Sequence, residues 1–211
     1  MSWQTFYVQL QGTSPLLQNR ITEEAIQSLD DKKSRVKIKE VLTPREIANS
    51  HAHVDADGNA THPSEALLRA MISVAKGHKI GRSSAAPKVP AAVRFTSPYM
   101  RLMDEHGKPI RTWEVESCVG YNRQSATKVS AIRCHYPRYD RWRADFHIKI
   151  HTAILTPEFC QTLLNEGGEL CGIGTRRPER MGSFGTFLVA LWEPIADGQT
   201  VIEKIKETTS A

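Results

Sequence analysis

Residues 3 to 11 alternate between apolar and polar, with Phe6, Val8 and Leu10 on one side of the chain. A period of two predicts a strand with one buried face. Gly12, Ser14 and Pro15 end it. Residues 23 to 50 are polar and mixed in charge, and predict a short helix or an irregular excursion. His62-Pro63-Ser64-Glu65 predicts a helix start, with Pro63 at the first helical position and an acid in the first turn. Leu67, Leu68, Met71, Ile72, Val74 and Ala75 form its apolar stripe, and Gly77 ends it. Residues 93 to 103 and 110 to 119 predict a hairpin around residues 104 to 108. Residues 128 to 136 and 143 to 151 predict a second. Its later arm sends Phe146, Ile148 and Ile150 one way and Asp145, His147, Lys149 and His151 the other. Thr156-Pro157-Glu158 predicts another helix start, with Phe159, Leu163 and Leu164 as the apolar stripe. Residues 184 to 192 predict a short strand buried on both faces. The tail from Lys204 is polar and is expected to fray.

Without the first hairpin the order is βαββαβ, the split βαβ or ferredoxin-like pattern, which is also the RRM-like one. The predicted class is α+β: an antiparallel sheet with both helices on one face, the other face open, and a β-hairpin inserted at the rim. At 211 residues the chain is expected to be one domain over 1–211. The inserted basic loop and hairpin fall at about 78–121.

Composition removes whole classes. No run of about 18 apolar residues occurs, so a membrane span is not expected. The first residues lack the charged and apolar regions of a signal peptide, so a cytoplasmic protein is expected. Lys and Arg total 28 against 23 Asp and Glu, a mild basic excess compatible with a nucleic-acid partner. Cys118, Cys134, Cys160 and Cys171 form no CxxC pair and read as reduced, buried thiols. From Lys76 to Met103 there is no acid, while Lys79, Arg82 and Lys88 stand in a stretch rich in Gly, Ser, Ala and Pro. That stretch is expected to be mobile in the free protein and to clamp a bound strand.

The most informative segment runs from Gly172 to Gly185, between the last helix and the last strand. Glycines permit positive φ and close backbone approach. Arg176, Arg177 and Arg180 supply forked donors matched to phosphate oxygens. The alternative is a long turn with a solvated basic rim. No Gly-Lys-Ser/Thr follows, so it is not a Walker loop, and its place after a helix excludes a dinucleotide fingerprint. Around residue 140, Tyr136, Arg138, Tyr139, Arg141, Trp142 and Arg143 interleave aromatic and basic side chains, a pattern suited to stacking on bases and pairing phosphates. The alternative is a hairpin whose aromatics cap the core. Asp55-Ala56-Asp57-Gly58-Asn59 fails the EF-hand spacing and reads as a tight turn. His51, His53 and His62 lack metal-site spacing and read as loop histidines. No nucleophile triad is legible, and neither a cofactor nor a metal is called for.

Gly172, Gly174, Gly182 and Gly185, with basic residues between the pairs, resemble the glycine-rich loop of the RAMP superfamily, the repeat-associated proteins of CRISPR systems. Gly12-Thr13-Ser14-Pro15-Leu16-Leu17 resembles that family's opening, and related domains occur in phage and mobile-element proteins. The resemblance covers the sheet pattern and two short motifs. It implies an RNA-binding, antiviral-defence role, either as a backbone subunit that polymerises along CRISPR RNA or as a processing endoribonuclease. It implies that the inserted hairpin is thumb-like.

The leading expectation is therefore a non-enzymatic protein that binds RNA or single-stranded DNA along its phosphates. It would work in several copies or in a multi-subunit ribonucleoprotein, away from membranes. Its expected contacts are Gly172, Gly174, Arg176, Arg177, Arg180, Gly182, Lys79, Arg82, Lys88, Arg138, Arg141 and Trp142. The rival is a metal-independent endoribonuclease using His51, His53, His135 or His147 as acid and base. The third reading is a protein–protein adaptor.

Overall fold

The computed structural model describes residues 3–22, 42–123 and 129–195. The expected frayed tail and most of the polar excursion at 23 to 50 lie outside the described residues.

Strand β1 (Trp3–Gly12) leads into the two-residue β2 (Leu16–Leu17). Helix α1 (Pro44–Ser50) starts at Thr43, which shares a reciprocal capping box with Glu46. Next come β3 (Thr61–Pro63), α2 (Glu65–Ala75), the short ladder β4 (Lys79–Ile80) with β5 (Ser83–Ser84), and α3 (Lys88–Ala92). Strands β6 (Val93–Phe95), β7 (Tyr99–Met103), β8 (Glu114–Arg123), β9 (Val129–Tyr139) and β10 (Arg143–His151) follow. Helix α4 (Pro157–Glu166) continues into a π-helical turn (Gly167–Cys171). A 3₁₀ turn (Pro178–Arg180) and β11 (Phe187–Ile195) complete the described chain.

The architecture is mixed α/β with antiparallel sheets and few helices. One sheet has the order β11-β1-β10-β7-β3, with β6 also pairing β10; a second has the order β2-β9-β8. Phe6, Val8 and Leu10 of β1 and Ala144, Phe146, Ile148 and Ile150 of β10 face the core. There they meet Leu67 and Met71 of α2 and Cys160, Leu163 and Leu164 of α4. Each large apolar side chain fully buried here contributes roughly 1.5–3 kcal/mol. No described helix is long and apolar enough to cross a membrane.

Both predicted hairpins pair differently. Strands β6 and β7 share one edge of β10, at Ile148–Ile150 and Arg143–Asp145, like one strand interrupted by the bend at residues 96 to 98. Strand β8 instead pairs with β9 along its whole length. The chain leaves that arm for the larger sheet at Trp142. Trp142 is wholly buried, its indole N–H donates to the Ser14 carbonyl at 2.9 Å, and its own carbonyl accepts from the Gly12 amide at 2.9 Å. A core tryptophan locks the corner, so β9 and β10 cannot continue as one hairpin.

Three further expectations change. The helix begins at Glu65, and Pro63 sits instead in the terminal strand of its sheet, where a missing N–H costs little. The final strand occupies the opposite edge and is half exposed, with Leu188 45% accessible. The basic segment 78 to 90 is folded. Ala85 and Val89 are fully buried, and His78 Nε2 lies 2.6 Å from Glu166 Oε2. Its small apolar residues anchor it while Lys79 and Arg82 stay exposed and Lys88 is half-buried.

The Thr156 cap is as expected, accepting from the Phe159 amide at 3.2 Å. Asp55 closes the expected tight turn, accepting from the Asp57 and Asn59 amides. The Asn59 side-chain amide, which also donates to the carboxylate, and then its backbone amide hold the carboxyl down at about 2. All four cysteines are free; Cys160 and Cys171 are buried, Cys118 and Cys134 half-buried.

Candidate nucleic-acid interface

The two sequence motifs meet in space. From Gly172 to Gly185 the loop lies against the segment that follows β1. Thr175 donates to the Leu17 carbonyl at 2.9 Å, Gly185 to that of Pro15 at 2.8 Å, and Ile173 to that of Gly185 at 2.9 Å. Gly172, Gly174 and Gly185 have φ of 65°, 77° and 72°. A Cβ on Gly174 would stand 2.2 Å from the Leu17 carbonyl oxygen, and one on Gly182 1.8 Å from that of Arg176. These glycines let the loop double back on itself and press against the opening motif.

Beneath the loop is a cavity of about 650 Å³. Residues 172 to 177, Glu179 and Arg180 form one wall. Asn19, Arg20 and Ile21 form another, and His53, His62 and the start of α2 as far as Ala70 complete it. Five arginines, Arg20, Arg69, Arg176, Arg177 and Arg180, face two acids, Glu65 and Glu179. Both acids are committed to partners: Glu65 to Arg69 at 2.7 Å and Glu179 to Arg177 at 2.7 Å. The balance inside the cleft is cationic and suits phosphate.

The arginines have different tasks. Arg177 donates to the Gly174 carbonyl at 3.0 Å and to Glu179 through Nε and Nη2. Glu179 also accepts from Ser73 of α2 at 2.8 Å, and the Arg177 and Ser73 bonds keep its carboxyl below the usual range. Arg177 therefore fastens the loop to the helix, so its side chain supports the fold as well as the cleft. Arg176 is exposed and spends one donor on the Val119 carbonyl of β8 at 3.0 Å, so the loop also touches the β8–β9 arm. Arg180 is exposed at the rim.

The remaining predicted contacts are not brought to this cleft. Lys79 and Arg82 are exposed beside the β4–β5 ladder, and Lys88 opens α3. Arg138 is paired with Glu116 and Asp140, and Arg141 with Glu105. Trp142 is core, with its ring edge-on to Phe187, and cannot stack on a base. Tyr139 is likewise buried.

The sequence reading missed Gln18, Arg20, Arg69 and the role of His62. Gln18 is fully buried. Its Oε1 accepts from the His53 amide at 2.9 Å and from the Tyr139 hydroxyl at 3.3 Å. Both partners are donors, so the amide orientation is fixed. Its Nε2 then donates to the Thr61 carbonyl at 2.6 Å and lies 3.2 Å from His62 Nδ1, which must accept. His62 Nε2 therefore carries the ring proton. The only sequence signal was a polar residue directly after the apolar pair of the opening motif.

Burial, then the neighbouring His53 and Arg177, pushes His62 down to about 3. Burial and Arg20 lower His53. Both rings are neutral at pH 7. A histidine whose folded pKa lies below its unfolded value stabilises the fold above the unfolded value, near 6.5. That stabilisation is lost as pH falls toward 3. Stability is therefore expected to fall with acid by up to about 1.4 kcal/mol per pH unit from this residue alone. Urea titrations of the parent and His62→Asn between those pH values check this; equal slopes would contradict it. Among the described residues, no group of three or more His, Cys, Asp or Glu side chains is placed to hold a metal.

No family model and no curated protein matches the sequence. Among solved structures, the fold is similar to a chain of "Cryo-EM structure of the Type III-B Cmr-beta bound to cognate target RNA", with TM-score 0.56 and 10% identity. The alignment covers 92% of this chain and 61% of that one, so this chain spans about three fifths of its neighbour's length.

Proposed function

We propose that the chain binds single-stranded RNA by its phosphate backbone in the cleft beneath the glycine loop, as a backbone-type subunit of a CRISPR-type, multi-copy ribonucleoprotein. The observation that carries this reading is the cleft itself: five arginines against two already paired acids, walled by a loop whose glycines bring backbone to its edge. The likeness in fold to a subunit of an RNA-bound Cmr complex supports it. On this reading β1, β6 with β7, β10 and β11 are the four strands of a ferredoxin-like core, α2 and α4 its crossover helices, and the β8–β9 arm its thumb. The whole chain then works as one domain in the cytoplasm. One of the candidate histidines, His53, lines the same cleft and keeps one rival in play, metal-independent RNA cleavage.

Labelled RNA incubated with protein and EDTA separates the readings. A gel shift with intact RNA supports binding alone. Defined fragments assign cleavage. Neither result leaves the adaptor reading. Three arginines in excess of the acids correspond to a slope of log K against log salt of about −2, at roughly −0.7 per phosphate contact on single strands. A flat salt response would contradict the proposal.

A further inference from the structure

The larger sheet puts only one face into the core. The residues between the core positions of β1 and β10 point the other way, and none of them belongs to the core cluster. On that second face the strand register sets Tyr7 opposite His147 and Trp3 opposite His151. The Tyr7 and His147 rings lie 5.4 Å apart, and Trp3 meets His151 edge-on at 4.9 Å. Lys149 sits between the two pairs, opposite Thr5 on one side and Arg94 on the other. The Arg94 guanidinium stands 5.9 Å from the Trp3 ring. Trp3 is 41% exposed, and Lys149 and Arg94 are exposed.

The central rings are held in place and uncharged. Tyr7 donates to Asp145 Oδ2 at 3.0 Å and accepts from Gln9 Nε2 at 2.9 Å. Burial and the nearby Asp145 push the phenol up to about 12, and burial lowers His147. Arg143 approaches the same face, with Nη2 3.4 Å from Gln9 Oε1. Asp145 already engages the Tyr7 hydroxyl. The surface thus offers flat neutral rings with Arg94, Arg143 and Lys149 along the β10 side, three cations against Asp145 and the Glu193 that the register sets opposite Tyr7 on β11. Its complement is flat, stackable and anionic at the edges. Unpaired bases on a phosphodiester backbone have that chemistry, whereas a duplex keeps its base faces stacked on each other.

We infer that the second face of the larger sheet is a base-stacking platform for single-stranded nucleic acid, with Tyr7 and His147 as one stacking site, Trp3 as another, and Lys149 and Arg94 pairing phosphates. Trp3 and Tyr7 are four residues apart on β1, about 13 Å, so one strand reaches both by running along β1. This goes beyond the cleft: the cleft holds backbone, the sheet holds bases, and the two use different residues.

The test is photocrosslinking of the whole chain to a uridine oligonucleotide carrying 5-bromouracil, with adducts mapped by mass spectrometry, beside affinity measurements. Adducts are expected on Trp3, Tyr7 or His147. Tyr7→Leu with His147→Leu should weaken binding by about five- to 150-fold per stacked base, while Tyr7→Phe keeps the parent affinity. An abasic oligonucleotide of equal length should bind the parent more weakly by at least that factor, since it also loses the Trp3 site, and its affinity should not change in the double variant. That arm needs no altered protein to fold. RNA and DNA oligonucleotides in parallel show whether the sugar matters. Adducts confined to residues 172–185, no adducts at all, or equal affinity for abasic and intact strands would overturn the inference. Failure of the cleft reading looks different: substitutions at Arg176 and Arg180 would leave affinity intact while the sheet variants lower it.

Discussion

Arg176→Glu combined with Arg180→Glu is expected to weaken RNA binding by about two to four orders of magnitude with little change in the melting temperature. Both side chains are exposed at the cleft, and neither belongs to the core cluster. Surface substitutions away from such features usually shift stability by less than about 0.5 kcal/mol. Removing a charge-assisted hydrogen bond to phosphate costs roughly 1.5–3 kcal/mol, and reversal adds repulsion. Arg177→Ala should behave differently. It removes three hydrogen bonds that hold Gly174 and Glu179, so it should lower both the melting temperature and affinity. Arg141→Glu, which breaks an exposed pair with Glu105 away from the cleft, should leave affinity unchanged. Affinities and thermal melts on these three variants check the set. Parent-like binding by the double reversal would remove the cleft from the account.

Gly174→Val is expected to cost about 2–6 kcal/mol of folding stability and to abolish binding with it. The residue has φ of 77°, where a non-glycine costs roughly 1–3 kcal/mol. Its new Cβ would also lie 2.2 Å from the Leu17 carbonyl oxygen, which is backbone and cannot rotate away. Overpacking of that kind adds roughly 1–3 kcal/mol. Gly107 provides the comparison: its φ is 74°, but nothing lies within 4 Å of a Cβ built there. Gly107→Ala should show the conformational cost alone, and Gly174→Ala clearly more. Equal urea midpoints for the two alanine variants would show that the loop and the opening motif do not press together as described.

Local periodicity made much of the fold readable. Strands β1 and β10 advertise their faces through Phe6, Val8 and Leu10 and through Phe146, Ile148 and Ile150, because a half-buried strand must alternate. The cap of α4 is written in Thr156 and Pro157. Pairing was not readable, because it is decided between distant segments. Residues 93 to 103 meet β10 about fifty residues later, and only the burial of Trp142 shows why β9 and β10 part company. The site divides the same way. Gly172, Gly174 and Gly185 are legible because a loop that doubles back needs positive φ. Gln18, Arg20, His62 and Arg69 reach the cleft from separate places in the chain, and no spacing rule connects them. The cluster around Arg138 and Trp142 misled because sequence shows that aromatic and basic residues alternate but not that alternate ones point inward.

On the proposed function, RNA lies in the cleft beneath the glycine loop. Ile21 lines that cleft and is 64% exposed, so a photoreactive phenylalanine derivative is tolerated there. Ile154, 37% exposed and not part of the cleft, is the control position. On irradiation with labelled single-stranded RNA in EDTA, the probe at 21 is expected to form a crosslink that fades as salt rises, and the probe at 154 none. RNA bound with full affinity but no crosslink from position 21, or equal crosslinking from both positions, would contradict the account.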